Sequence, residues 1–403
     1  MTTWLVALLA AWGTAGGAAL PPPKPPAPQI STVEGDSFEG RLVAIASGQA
    51  AFQVNGQRRA VSLRDLFVIR LAPHEELMAR PGRKVVVLAS GGMLAAESLS
   101  AGGGKILLSG GLARAEVEMS SVSLIYLPGP KERPDALAKM YKEIRLDRAA
   151  ADYLIALDEK GKWVRVSGAL KSADAEKVVF QYKKADRTIR TSSVRVIQLA
   201  RIPGRKTPPI GSLVGKDGSV LPFFAIEYVG TKLSVTAEGV SDVAVKLSDV
   251  AEIRFDSDRS VYLSDLEPAK VLQVGMFDVV FPFRKNRSTT GGLLRLGGRT
   301  YARGLGLHSR CDLTYKLDGE YVAFVALAGI DDKAPACGSA TLKVLGDGKE
   351  LIKPLKLAGG TKGVPVRCSL KGVETLKIVV DFGDDGTDIG DHVSLAIARL
   401  VKP

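Results

Sequence analysis

Four stretches of this chain close in the same way, and that repetition limits the possible folds more than any other feature. They read RAVSLRDLFVIRLAP, AEVEMSSVSLIYLP, RTIRTSSVRVIQLA and VAVKLSDVAEIRFD. In each, a short alternating strand meets a polar Ser/Asp step, and a second strand follows, centred on Ile69, Ile125, Ile197 or Ile253. A turn and a strand pair precede every closing, as in GRLVAIASGQAAFQV and DYLIALDEKGKWVRVSGAL. Alternation of period two between regularly spaced turn residues dictates strands rather than helices. The units run to about forty to fifty residues, a period at which sequence repeats form arrays. A unit that short buries too little surface to stand alone, so neighbours must pack together. Small SH3-like or Sm-like barrels of strongly bent strands are the expectation, two in 35–130 and two in 151–256.

Between the two halves, PGPKERPDALAKMYKEIRLDRAAADYL opens with three prolines and then spaces Leu137, Met140, Tyr141, Ile144 and Leu146 near the helical period. A short helical connector over 131–150 is predicted, packed as a strut against a barrel end. Met1 to Leu20 carries an apolar run ending in small residues, a secretory signal peptide with cleavage close to Ala19; an uncleaved N-terminal anchor is the alternative. The PPPKPPAP stretch then opens a stiff Pro-rich linker over 21–34. Trp163 at a strand start reads as hairpin packing or, alternatively, as an exposed sugar-stacking ring.

The 403 residues carry a formal net charge of +12, but acidic residues interrupt the basic ones in every segment. No basic run alternates with aromatics, so a nucleic-acid groove is not expected. The three cysteines, Cys311, Cys337 and Cys368, and the three histidines give no zinc spacing. In an exported protein Cys311 and Cys368 would pair as a disulfide; buried free thiols are the other reading.

From 257 to 403 the repeat is gone. Strands are predicted at GLGLHS, CDLTYKL, YVAFVALAG, ATLKVLGDG, VPVRCSL, ETLKIVVDF and HVSLAIARLV, joined in part by turns at Asp318-Gly319, Asp347-Gly348 and Lys371-Gly372. About eight antiparallel strands with no helical period make a jelly-roll β-sandwich, and the whole chain all-β.

The succession YLSDLEP, YARGLGLHS, YVAFVALAGIDD, GSATLKVLGDGKEL, VPVRCSLKGVETLKIVV and DIGDHVSLAIARL resembles the NPCBM/NEW2 domain over roughly Tyr262 to Val401. The resemblance implies a galactose-binding-like sandwich, a carbohydrate-binding module of exported proteins. The chain departs from the family in one place: where members carry a Trp in the segment matching GDHVSLAIARL, it has Ser394 and Leu395, and the domain holds no Trp. Tyr262, Tyr301, Tyr315 and Tyr321 remain as stacking candidates.

Candidate polar contacts to a sugar are Tyr301, Arg303, His308, Asp331, Asp332, Asp391 and His392, where imidazole, guanidinium and carboxylate groups would orient hydroxyls. Asp384, Asp385 and Asp388 crowd one Gly-rich loop, where carboxylate oxygens suit a structural Ca²⁺ or simply form turns. No nucleophile elbow, metalloprotease helix or phosphate-cradling loop occurs. The expected protein is therefore secreted or periplasmic and non-catalytic, with glycan or cell-wall polysaccharide as partner. An envelope scaffold binding other proteins and a divergent glycoside hydrolase are the alternatives.

Overall fold

The computed structural model describes residues 28–72, 82–112, 114–129, 151–158, 162–200, 208–276 and 279–403. The signal segment, the proline run before Pro28 and the connector at 131–150 lie outside the described residues. Among the described residues the chain is all β, with strands and short 3-10 turns and no helix long and apolar enough to cross a membrane. The first strand, Gln29–Thr32, begins inside the stretch read as a linker.

All four closings take one conformation. The polar step becomes a single 3-10 turn, at Leu63–Asp65, Met119–Ser121, Thr191–Ser193 and Leu247–Asp249, and the next strand starts immediately after it. In the first unit the Ser62 hydroxyl accepts from the Arg64 amide, a local bond that favours the turn over continued strand. The same strand-to-turn step, without the following strand, stands at the domain boundary, where Ser260–Tyr262 runs into Leu263–Asp265.

The closing strands also explain how the units assemble. Leu66–Arg70 pairs antiparallel with Val250–Phe255, placing Ile69 opposite Ile253. Val122–Tyr126 pairs with Val194–Gln198, placing Ile125 opposite Ile197. All four isoleucines are fully buried. The first unit therefore joins the fourth, and the second joins the third. Strands Ser98–Gly102 and Trp163–Ala173 also pair across units. The ladders form one 18-stranded network beside a five-stranded sheet and do not delimit four separate closed barrels. The reason is burial: each closing strand has too much apolar surface to remain an edge, and a neighbour's equivalent strand covers it. Trp163 packs beside Tyr126, Ile155 and Val196.

The C-terminal part is a sandwich. One sheet runs Arg284–Lys285, Gly304–His308, His392–Val401, Ala323–Ile330, Val364–Ser369; the other runs Lys270–Gln273, Cys311–Lys316, Thr375–Phe382, Ser339–Gly346, Lys349–Glu350. Ser339–Gly346 alternates half-buried and buried residues along its whole length, as a strand with one core-facing side must. Tyr315 lies wholly in this core and Tyr321 at its margin, which removes both as sugar platforms.

The sandwich is locked to the first repeat. Val33 joins Ala323, Val325 and Val401 in an apolar cluster with Phe67 against it. Arg399 reaches through that seam, and Arg259 pairs with both Glu34 and Asp65.

Candidate functional site

Gly304–His308 is buried at every position. Leu305 and Leu307 enter the core, so Gly304, Gly306 and His308 face outward by strand alternation. That outer side is covered too. A Cβ on Gly306 would stand 2.2 Å from the Arg287 carbonyl oxygen and 2.9 Å from the Thr289 nitrogen, so only glycine lets the 287–289 segment lie on the sheet. Gly304 adds a φ of +139°, closed to ordinary side chains.

This close approach builds a small aromatic cluster. His308 and His392 are cross-strand partners with ring centroids 4.7 Å apart. The Phe281 ring stands 4.2 Å from His308 and 5.3 Å from His392. The His308 Nδ1–H donates to the Ser309 carbonyl at 2.9 Å, which in the neutral ring leaves Nε2 as an acceptor. Thr289 Oγ1 lies 3.0 Å from His392 Nδ1 and also donates to the Leu307 carbonyl at 3.4 Å, so here too the imidazole nitrogen is the donor. Phe281 is 37% exposed and presents an aromatic surface beside two imidazoles.

Burial, and secondly the neighbouring His308, hold His392 below the ordinary histidine value, while Asp331 opposes them. The unfolded chain therefore takes up this proton first. His392 contributes stability in full above about pH 6.5 and loses it as pH falls through the lowered folded value. The expected result is a steeper loss of the denaturation midpoint between pH 7.5 and 5 in the wild type than in His392→Gln. Parallel midpoint curves for the two proteins would refute it.

The acids do a different job. Asp331 accepts from Ser394 Oγ at 2.6 Å, the Arg295 amide at 3.0 Å, the Lys333 amide at 3.1 Å and Thr290 Oγ1 at 3.4 Å. Ser394 thus serves the covered face of the sheet. Asp391 accepts from Ser309 Oγ at 2.6 Å and the Ser339 amide at 2.9 Å, and burial pushes its carboxyl up. Asp332 accepts from the Gly297 and Gly298 amides at 2.9 and 2.7 Å, closing the turn between Leu294–Leu296 and Arg299–Tyr301. These three carboxylates hold loops in place, and the four bonds to Asp331 fill its acceptor sites. Tyr301 and Arg303 stand elsewhere, at the junction with the repeats, where Arg303 pairs with Asp265 and lies 4.6 Å over the Tyr262 ring.

Two expectations are corrected. Asp384 pairs with Lys356 at 2.7 Å, Asp385 binds Thr387, and Asp388 accepts from the Met276 amide at 3.0 Å. Their oxygens turn to separate partners, and among the described residues no three His, Cys, Asp or Glu side chains gather as a cation set. Cys311 and Cys368 form no disulfide. They come from strands of opposite sheets and each fills apolar core space, where burial pushes the thiols up to about 12 and about 11. Phe281, Thr289 and Ser309 escaped the sequence reading; the signal available for Phe281 was the apolar VVFPF run.

The sandwich occupies the stretch where the sequence resembles the family, with the glycine-spaced strand before His308 inside it, and the family model matches the same stretch. Residues 259–401 form an NPCBM/NEW2 domain. The match takes in the sandwich and none of the four repeat units. A provisionally named endo-alpha-N-acetylgalactosaminidase of Renibacterium salmoninarum is 34% identical over 103 residues, which is 25% of this chain and 7% of that protein. The chain thus spans less than a tenth of that relative. Among solved structures, CBM51 from Clostridium perfringens GH95 in complex with methyl-galactose is 28% identical at a TM-score of 0.32, covering 35% of this chain and 99% of that one. CBM51-2 in complex with GlcNAc and INT domains from Clostridium perfringens ZmpB is 25% identical at a TM-score of 0.32, covering 46% of this chain and 42% of that one.

Proposed function

We propose that this is an exported, non-catalytic glycan-binding protein whose NPCBM/NEW2 domain meets sugar at the Phe281, His308 and His392 cluster while the repeats hold and present the domain. The observation that carries the reading is an exposed ring beside two imidazoles whose Nδ1 atoms are already engaged. The apolar C–H face of a pyranose packs on an aromatic ring, and the remaining imidazole nitrogens suit its hydroxyls. The family match supports glycan as the ligand class. Export rests on the signal-like N-terminus.

The non-catalytic reading has a physical basis. A glycosidase needs two carboxylates roughly 5–9.5 Å apart facing the bond to be cut. Beside this cluster, Asp331 and Asp391 are fully buried and bonded to the chain's own hydroxyls and amides.

Calorimetric titration of the full chain with galactose, N-acetylgalactosamine and N-acetylglucosamine tests the proposal. Weak, about millimolar binding of at least one is expected, with about tenfold loss in Phe281→Ala. Binding that survives in Phe281→Ala would move the site elsewhere. Silence across all three sugars would favour a second reading, protein docking, which the exposed Val274, Val279, Val280 and Ile389 support.

A further inference from the structure

The junction between the repeats and the NPCBM/NEW2 domain encloses a cavity of about 340 Å³. Neither part forms it alone. The repeats supply Phe67, Arg70, Glu252 and Arg254, and the domain supplies Tyr262, Arg299, Tyr301 and Arg303. Asp256 stands where the two parts meet.

Charge in this cleft is unbalanced. Four guanidinium groups line it against the carboxylates of Glu252 and Asp256. Glu252 is already shared between Arg254 at 2.9 Å and Arg70 at 3.5 Å, and Arg303 is held by Asp265. Arg70 Nε is buried without a hydrogen-bond partner, because Glu252 approaches it too far away for a good bond. The Arg299 side chain makes no hydrogen bond or ion pair with any described residue. Burial pushes the Arg70 guanidinium down from its ordinary value, with Glu252 opposing and the neighbouring Arg299 adding to the shift.

The rest of the lining is of another kind. Tyr301 is half-buried and offers a ring and a hydroxyl, and no described group donates a hydrogen bond to the Asp256 carboxylate, which leaves it as an acceptor for hydroxyls. A simple inorganic anion would use the arginines and leave these groups idle. An acidic sugar would use both sets, with its anionic group on the guanidinium fork and its hydroxyls on Asp256 and Tyr301. Ligand cavities span about 300–1,000 Å³, so this one suits a terminal residue or a short unit rather than a threaded polymer.

We propose that the cleft between the repeats and the NPCBM/NEW2 domain is a second binding site, specific for a saccharide carrying a carboxylate or sulfate group, with Arg299 as the principal anion contact. The site is independent of the cluster around Phe281 and exists only while the two parts of the chain are docked. It makes the protein a reader of two sugar features, one neutral and one acidic.

The test uses the full chain and four probes: galacturonate, galactose 6-sulfate, neutral galactose and inorganic sulfate. Galacturonate or galactose 6-sulfate is expected to bind more tightly than galactose and than inorganic sulfate, and to weaken as salt is raised. Which of the two acidic sugars binds identifies the anionic group. Arg299→Gln, at an exposed position where folding is not at stake, is expected to cost about tenfold in acidic-sugar affinity. Arg187→Gln, an exposed arginine of the third unit, serves as the control for net charge and is expected to bind as the wild type does. The proposal is overturned by equal loss in both variants, by sulfate binding as well as the acidic sugars, or by no preference for acidic sugars over galactose.

Discussion

Replacing Arg399 by alanine is expected to lower the unfolding free energy by about 3–5 kcal/mol and to loosen the sandwich from the repeats. Arg399 is 1% exposed on the last strand. Its Nε donates to the Val33 carbonyl at 3.0 Å, one terminal nitrogen to Thr32 at 3.3 Å and the other to Ile397 at 3.4 Å, while the guanidinium lies 3.8 Å over the Phe67 ring. Burial lowers its pKa to about 10, so it remains charged at neutral pH, stabilised by carbonyl dipoles and a ring face. Alanine would leave the buried Val33 carbonyl without its donor and a void under Phe67. The exposed pair of Arg367 with Asp36 spans the same seam, yet its loss should cost less than about 1 kcal/mol, because water screens it. Denaturant titration, with limited proteolysis at Ser257 and Asp258 as a second readout, checks both. A shift for Arg399→Ala no larger than that for Arg367→Ala would sink the assignment. Arg399→Lys should fall between, since it keeps the charge and loses the planar fork.

Asp331→Ala is the second large effect, at least about 3 kcal/mol, because several donors lose their acceptor together. Ser394 Oγ and the Arg295 and Lys333 amides all converge on that carboxylate. Its loss also frees the stretch carrying Thr289, which orients His392, so sugar affinity should fall at temperatures where the variant is still folded. Asp331→Asn keeps the shape and an acceptor oxygen and should recover part of both. Unchanged affinity in a folded Asp331→Ala protein would show that the loops under the cluster do not set its geometry.

Much of the architecture is written in local patterns. The four closing isoleucines follow from alternation alone, and all four are buried at the places assigned to them. Their partnership is not local. That Ile69 faces Ile253 while Ile125 faces Ile197 depends on which edge of which unit is left uncovered, and alternation carries no record of that. The site divides in the same way. The sequence marked out His308, but the crowding of its face comes from the fold, where Gly306 admits the 287–289 segment. A carboxylate on a loop accepts equally from a sugar hydroxyl or from a backbone amide, and only the fold brings Ser309 to Asp391 or Gly297 to Asp332. Cys311 and Cys368 fell in predicted strands, but strand membership says nothing about which sheet each joins. Phe281 was missed because a loop aromatic has no periodicity to betray it.

The pairing of first unit with fourth has a further meaning during synthesis. A ribosome releases the chain from its N-terminus, so the strand ending at Arg70 waits for its neighbour until Val250–Phe255 has emerged. At roughly 5–20 residues per second, that is a delay of about ten to forty seconds with an apolar edge open to misassociation. The inner pair, joined through Ile125 and Ile197, can close earlier. The array should therefore assemble from its middle outward, with the NPCBM/NEW2 domain, made after the repeats, then clamping the segment that follows Gln29–Thr32.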